Sequence, residues 1–183
     1  MTTRVPATID DLYEVPDHGK AELIDGEVIT MSPTGFRPGR AAARILASLL
    51  QFEQQIPHGY ALGDNVGFVI DLPNRKSVSP DAAFYVGPET GGKFVQGAPI
   101  FAVEVRSDGD YGMAAERAIM RKRADYFAAG TQIVWDVDVL RDGVVHVYRA
   151  SDPTQRTTYS RDELAEAEPA LPGWRYAVND LFR

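Results

Sequence analysis

The chain has 183 residues, 44% hydrophobic and 10% aromatic, enough for one sizeable core and short for two, which predicts a single domain over 1–183. It has no cysteine, which excludes disulfides and thiolate zinc sites and suits a reducing cytoplasm. A net charge of −7, from 19 basic and 26 acidic residues, excludes a protein that grips nucleic acid with its whole surface.

The opening "MTTRVPATIDD" lacks the basic-then-apolar order of a signal peptide, and no apolar run reaches the ~20 residues that span a bilayer, so a cytoplasmic protein without membrane contact is expected. "TIDDLYEV" predicts a short helix with Thr8 as N-cap, stopped at Pro16. "KAELIDGEVITM" predicts two strands joined by a tight Asp25-Gly26 turn, with Glu22 inside the first. Residues 38 to 56 read as an amphipathic helix whose stripes of Ala43, Leu46, Leu50 and of Ile45, Leu49 cover a sheet. Strands are expected at 66–72, 80–86 and 99–106, the first two separated by the polar turn "PNRKSVS". Residues 110 to 130 read as a helix closed by Gly130. "QIVWDVDV" and "GVVHVYRA" follow as strands around an "LRDG" turn, "RTTYS" as a short strand, and the tail as part helix with Trp174, Leu181 and Phe182 tucked onto the body. The sum is an α/β fold, a mixed central β-sheet flanked by two principal helices.

Two motifs are decoys. "GPETGGK" at 87–93 matches the start of a phosphate-binding loop, but Phe94 stands where Ser or Thr would bind Mg²⁺, and Gly97 and Pro99 stop any helix. His18, His58 and His146 are scattered, and His146, alternating with Val145 and Val147, reads as a sheet-surface residue. The arginines at 37, 40 and 44 and at 117, 121 and 123 fit phosphate contacts or plain solvated helix faces equally well.

The acids are more specific. Pro80-Asp81 opens one strand, and Glu104 interrupts the apolar run Ile100, Phe101, Ala102, Val103, Val105 of the next. An ionised acid in a core strand needs a cation or dense hydrogen bonding to offset several kcal/mol of desolvation. Two carboxylates from adjacent strand ends can share Mg²⁺, which then readies a water for attack on a phosphodiester. Alternation places Glu104 with Ala102 and Arg106, opposite Phe101, Val103 and Val105. On the helical wheel Lys122 lies on the inward stripe with Ala115, Ile119 and Tyr126, while Arg117, Arg121 and Asp125 fan toward solvent.

The layout P-D followed by E-V-R resembles the PD-(D/E)xK nucleases with their third-position lysine missing, and Arg106 is no substitute because guanidinium stays protonated. The segments "ELIDGEVITMSP", "SPDAAFYV", "FAVEVRSDGD", "KRADYFAAGTQIVWDVD" and "LPGWRYAVNDLF", in that order, are similar to the Uma-type endonucleases, a bacterial family with a restriction-endonuclease-like fold. The resemblance implies a Mg²⁺- or Mn²⁺-dependent endonuclease acting on DNA. It implies Asp81 and Glu104 as metal ligands, Lys122, four residues before Tyr126, as the catalytic lysine, and Glu22 as an auxiliary ligand or active-site acid; relatives of the fold also imply a homodimer. Two departures stand out: Pro38 where the family often shows a histidine, and "RSDG" in place of "LSPS" after the strand glutamate. The alternatives are a catalytically inactive module of the same fold that binds DNA or protein, and a purely structural pairing of Glu104 with Arg106 or another arginine.

Overall fold

The computed structural model describes residues 5–16 and 19–183, so His18 lies outside the described residues. Helix α1 (Ile9–Tyr13) starts where the Asp11 carboxylate accepts the Thr8 N–H at 2.6 Å. Strands β1 (Ala21–Ile24) and β2 (Glu27–Thr30) form a hairpin on Asp25 and Gly26, whose φ values of 50° and 76° supply the left-handed pair a two-residue turn requires. Helix α2 spans Phe36–Glu53 and buries Pro38, Ala41, Ala42, Ile45, Leu49 and Phe52. The Ile45 and Leu49 stripe therefore covers the sheet as expected. Ala43 and Leu50 instead face solvent and Leu46 is half-buried, because they lie outside the wedge of about 100° that meets the core.

There follow β3 (Gly59–Gly63), β4 (Phe68–Val69), β5 (Ser77–Val78), β6 (Ala82–Val86), β7 (Val95–Gln96) and β8 (Phe101–Val105). Then come α3 (Met113–Ala129), β9 (Ile133–Asp138), β10 (Val144–Arg149), β11 (Asp152–Tyr159), β12 (Leu164–Glu166), β13 (Arg175–Ala177) and a 3-10 turn at Val178–Phe182. Six strands make the central sheet in the order β11-β10-β9-β8-β6-β3, antiparallel except for β8 and β9. That parallel pair needs a crossover, which α3 provides, and α3 ends at Gly130 with φ 110°.

Alternation along β8 assigns the two faces. Phe101, Val103 and Val105 pack with Ile45, Leu49, Trp135 and the tail residues Leu171, Trp174 and Leu181. Ala102 packs on the other face with Tyr126 of α3 and with Phe68, Val78 and Val95 from the small sheet β5-β4-β7. The fold is thus the expected α/β arrangement of a mixed sheet with a principal helix on each face.

Several elements depart from the sequence expectation. β3 was not foreseen, because glycines at both ends of "GYALG" weaken the strand signal, yet it is an edge of the main sheet. The expected strand 66–72 shrinks to β4 in the small sheet, and the tail's helical part is instead the two-stranded β12-β13. β11 is longer than "RTTYS", at eight residues. Loop 87–93 leads into β7 and not into a helix, as the decoy argument requires. No helix among the described residues is long and apolar enough to cross a membrane.

Candidate active site

Asp81 immediately precedes β6, where its N–H donates to the Val103 carbonyl at 3.0 Å. β6 and β8 run antiparallel with Ala82 opposite Val103, so one further step of the register sets Asp81 across from Glu104. The register continues across the sheet through Glu104–Asp136, Asp136–His146 and His146–Thr158. Five polar side chains thereby form one row on the α3 face, running from β6 to the edge strand β11, with Asp81 and Glu104 at its inner end.

The helix delivers Lys122 to that row. Its Nζ lies 2.8 Å from Glu104 Oε1 and 2.9 Å from Glu22 Oε1. Tyr126, one turn on, donates its hydroxyl to Glu104 Oε1 at 2.6 Å. Both contacts to Glu104 fall on Oε1, and 26% of its side chain reaches solvent. Burial lowers the Lys122 pKa, but the charges of Glu104 and Glu22 outweigh it and leave the ammonium raised above its ordinary value. Lys122 is therefore a cation here and not a base. Glu104 is pushed the other way, because burial and the neighbouring charges of Asp81 and Glu22 raise its pKa against the pull of Lys122.

Glu22, in β1, is 2% exposed and saturated. Oε1 accepts the Ser79 N–H at 2.9 Å as well as meeting Lys122, and Oε2 takes the Arg75 guanidinium. Burial raises its pKa, yet Lys122 and Arg75 together bring it below the ordinary value. Arg75 also holds Asp125 Oδ2 at 2.7 Å, and Asn74 donates to Asp125 Oδ1 at 2.9 Å. Asp125 was expected to face solvent; it is 7% exposed because this ion pair draws it inward.

Asp81 is held from two sides. Oδ2 accepts the Val105 N–H at 2.7 Å, and Oδ1 accepts from Lys20 Nζ at 2.7 Å. Lys20 reaches Asp64 Oδ1 at the same distance. Arg106 does not pair with Glu104, which removes that structural explanation of the acid. Its fork instead takes Asp136 at 2.7 Å through both Nε and Nη2, and Glu116 of α3 beyond it. His146 is no surface residue: it is 8% exposed, with Nδ1 2.9 Å from the Thr158 hydroxyl.

Sequence reasoning missed Lys20, Arg75, Asp125 and Tyr126 as parts of this network. The signal for Arg75 was absent, since an arginine within "PNRKSVS" looks like any solvated turn residue. Three of the clustered arginines have partners within the chain: Arg40 donates to the Arg183 carbonyl at 3.1 Å, Arg121 pairs with Asp25, and Arg123 lies 3.5 Å from the Tyr148 ring centroid.

Among the described residues no group of three or more His, Asp and Glu side chains is poised to hold a metal ion. The pair Asp81 and Glu104 nonetheless fits Mg²⁺, which binds through one or two carboxylates and keeps water on its other positions. Burial first, and the Asp81 charge after it, raise the Glu104 pKa, and a divalent cation offsets both.

A mixed sheet between two helices, with acids on adjacent strand ends and a helix lysine beside them, is restriction-endonuclease-like. The family model Uma2, described as "Putative restriction endonuclease", matches residues 7–179, and the chain belongs to that family. The fold is shared with a crystal structure described as "a putative nuclease belonging to DUF820 from Anabaena variabilis", at a TM-score of 0.74 and 19% identity over 97% of this chain and 98% of that one. Among curated proteins nothing matches.

Proposed function

We propose that this chain is a Mg²⁺-dependent endonuclease of the PD-(D/E)xK kind, one catalytic domain that hydrolyses DNA phosphodiester bonds in the cytoplasm. The observation that carries the reading is the Lys122 ammonium 2.8 Å from Glu104, whose register neighbour is Asp81. Asp81 and Glu104 would hold the cation, Mg²⁺ or Mn²⁺, which supplies charge neutralisation at the phosphate and a lowered pKa for water. Lys122, kept protonated by its two acids, orients the attacking water and stabilises charge developing on the phosphate oxygens. Glu22 is the anchor that aims Lys122. Tyr126 fixes the Glu104 carboxylate through Oε1, and 26% of the side chain stays open to solvent.

A homodimer would present two such sites to opposite strands. The tail is no candidate for its interface, since Trp174, Tyr176 and Leu181 are buried in their own core. The inactive-module reading draws on a specific feature, the Lys20 ammonium already seated on Asp81.

The test is cleavage of a supercoiled plasmid, a linear duplex and a structured RNA, with Mg²⁺ and with Mn²⁺, alongside light scattering for the oligomeric state. Cleavage of DNA by the parent, with Asp81→Asn, Glu104→Gln and Lys122→Met each slower by about 10²-fold or more, is the expected result. A parent that cleaves nothing with either ion, or variants that keep the parent's rate, would refute the reading in favour of the module.

A further inference from the structure

Lys20 opens the segment "KAELIDGEVITM" without a role assigned from sequence, yet its side chain is only 16% exposed and its Nζ bridges Asp81 Oδ1 and Asp64 Oδ1, each at 2.7 Å. The residue enters β1 two positions before Glu22, and its carbonyl accepts the Met31 N–H at 2.9 Å, so its backbone is fixed by the β1-β2 hairpin. Asp64, on the turn after β3, is about half exposed. Burial lowers the Lys20 pKa, but Asp81 first and Glu104 next more than reverse this, which places the ammonium within the field of both acids.

Resting on the metal-dependent reading, we propose that Lys20 is a resident counter-ion of the cation position: its ammonium neutralises Asp81 before a divalent ion arrives, yields Asp81 Oδ1 to that ion, and is retained by Asp64. The chemistry of the pair supports the exchange. A lysine ammonium is a point charge on a flexible stem and holds a carboxylate by one oxygen, so it can let go without breaking a two-pronged clamp. The second acceptor, Asp64, keeps the displaced cation paired and so reduces the cost of displacement. Lys122 is not equivalent, because both of its acids remain in place and the buried one, Glu22, holds it from behind. Lys20 and the divalent ion are accordingly competitors for one oxygen, and removal of the lysine charge should tighten metal binding.

The experiment is calorimetric titration of Mn²⁺ and of Mg²⁺ into the full chain and into Lys20→Met, Lys20→Arg and Asp64→Asn, without nucleic acid, with circular dichroism as the check on folding. Lys20→Met should bind the ion about tenfold more tightly than the parent, from the removal of one close positive charge. Lys20→Arg, which keeps the charge, should bind no more tightly than the parent. Asp64→Asn should weaken binding in the parent but have less effect in the Lys20→Met background, since the acceptor matters most while the displaced lysine needs it. Equal or weaker binding in a folded Lys20→Met, or a gain in Lys20→Arg equal to that in Lys20→Met, would overturn the competition while the metal site itself stood. Absence of binding in the parent and in every variant would overturn both the competition and the metal-dependent reading.

Discussion

The α3 face of the sheet carries two acidic neighbourhoods that differ in the cation set against them. In one, arginines close the acids: Arg106 takes both oxygens of Asp136 as a fork, and Arg75 gives one nitrogen to Glu22 and another to Asp125, with all three acids buried. In the other, single lysine contacts meet Asp81 and Glu104, and 20% and 26% of these side chains remain open. Glu104 and Asp136 are register neighbours, so position in the sheet does not separate them. What separates them is the partner. A planar fork consumes the acceptor geometry of a carboxylate, whereas an ammonium leaves lone pairs free for another cation. Under the proposed function the arginine-held acids are scaffold, and Asp81 and Glu104, whose cationic partners are lysines, are the site.

The sharpest way to break this comparison is to remove the most deeply buried arginine. Arg75→Ala leaves Glu22 and Asp125 buried without their guanidinium and should cost about 3–5 kcal/mol of stability, read from the urea midpoint. Glu104→Gln should change the midpoint by less than about 1 kcal/mol, because its raised pKa marks an ion the fold holds at a loss. Comparable losses in the two variants would mean that both neighbourhoods are scaffold.

Next in size is the response to metal. An ion that binds only the folded state at 100 times its Kd adds about 2.7 kcal/mol, which for a chain of this size raises the Tm by roughly 5–10 °C. The shift should appear with Mg²⁺ or Mn²⁺ in the parent, nearly vanish in Asp81→Asn and Glu104→Gln, and persist in Asp71→Asn, whose acid pairs with Lys76 at the surface. A full shift in Glu104→Gln would place the ion elsewhere.

This division was only half legible in the sequence, and the reason is the range over which each half is built. Alternation in "FAVEV" set the face of Glu104, and the wheel set the inward direction of Lys122, because both depend on neighbours within one element. The same wheel sent Asp125 outward. Its partner, Arg75, is 50 residues away in a turn, and the attraction that buries it has no local trace. Lys20 meets Asp81 across 61 residues in the same way. Strand β3 was lost for a different reason: its glycines weaken the local signal, and its place in the sheet comes from pairing with β6.

Acidity should separate the neighbourhoods as well. The folded pKa of Glu22 lies below its ordinary value of 4.5, so its ionisation adds stability above that pH, and the gain is lost as pH falls through the folded value. Glu104 has the opposite sign: its folded pKa lies above 4.5, so ionisation costs stability near neutrality, and the cost is relieved as pH falls toward 4.5. Urea unfolding between pH 3 and 7 should therefore show a flatter acid limb in Glu22→Gln than in the parent. Glu104→Gln should compare best with the parent near neutral pH, its advantage fading toward about 4.5. A parent-like acid limb in Glu22→Gln would show that Glu22 does not contribute to it.

The smallest effect tests whether an arginine partner alone makes an acid structural. Arg121 on α3 reaches both oxygens of Asp25 in the β1-β2 turn through one nitrogen, Nη2, at 3.0 and 2.9 Å. The two side chains are 51% and 55% exposed, however. Water competes for every one of these hydrogen bonds, salt screens the charges, and ordering two long side chains costs entropy. Arg121→Ala should therefore lower stability by no more than about 1 kcal/mol, with the difference shrinking further in about 0.5 M NaCl. A loss approaching that of Arg75→Ala would show that an arginine partner is sufficient wherever it occurs. A small loss assigns the difference between scaffold and site to the arginine partner together with burial, the combination that Arg75 has, that Arg121 lacks, and that neither lysine imposes on Asp81 or Glu104.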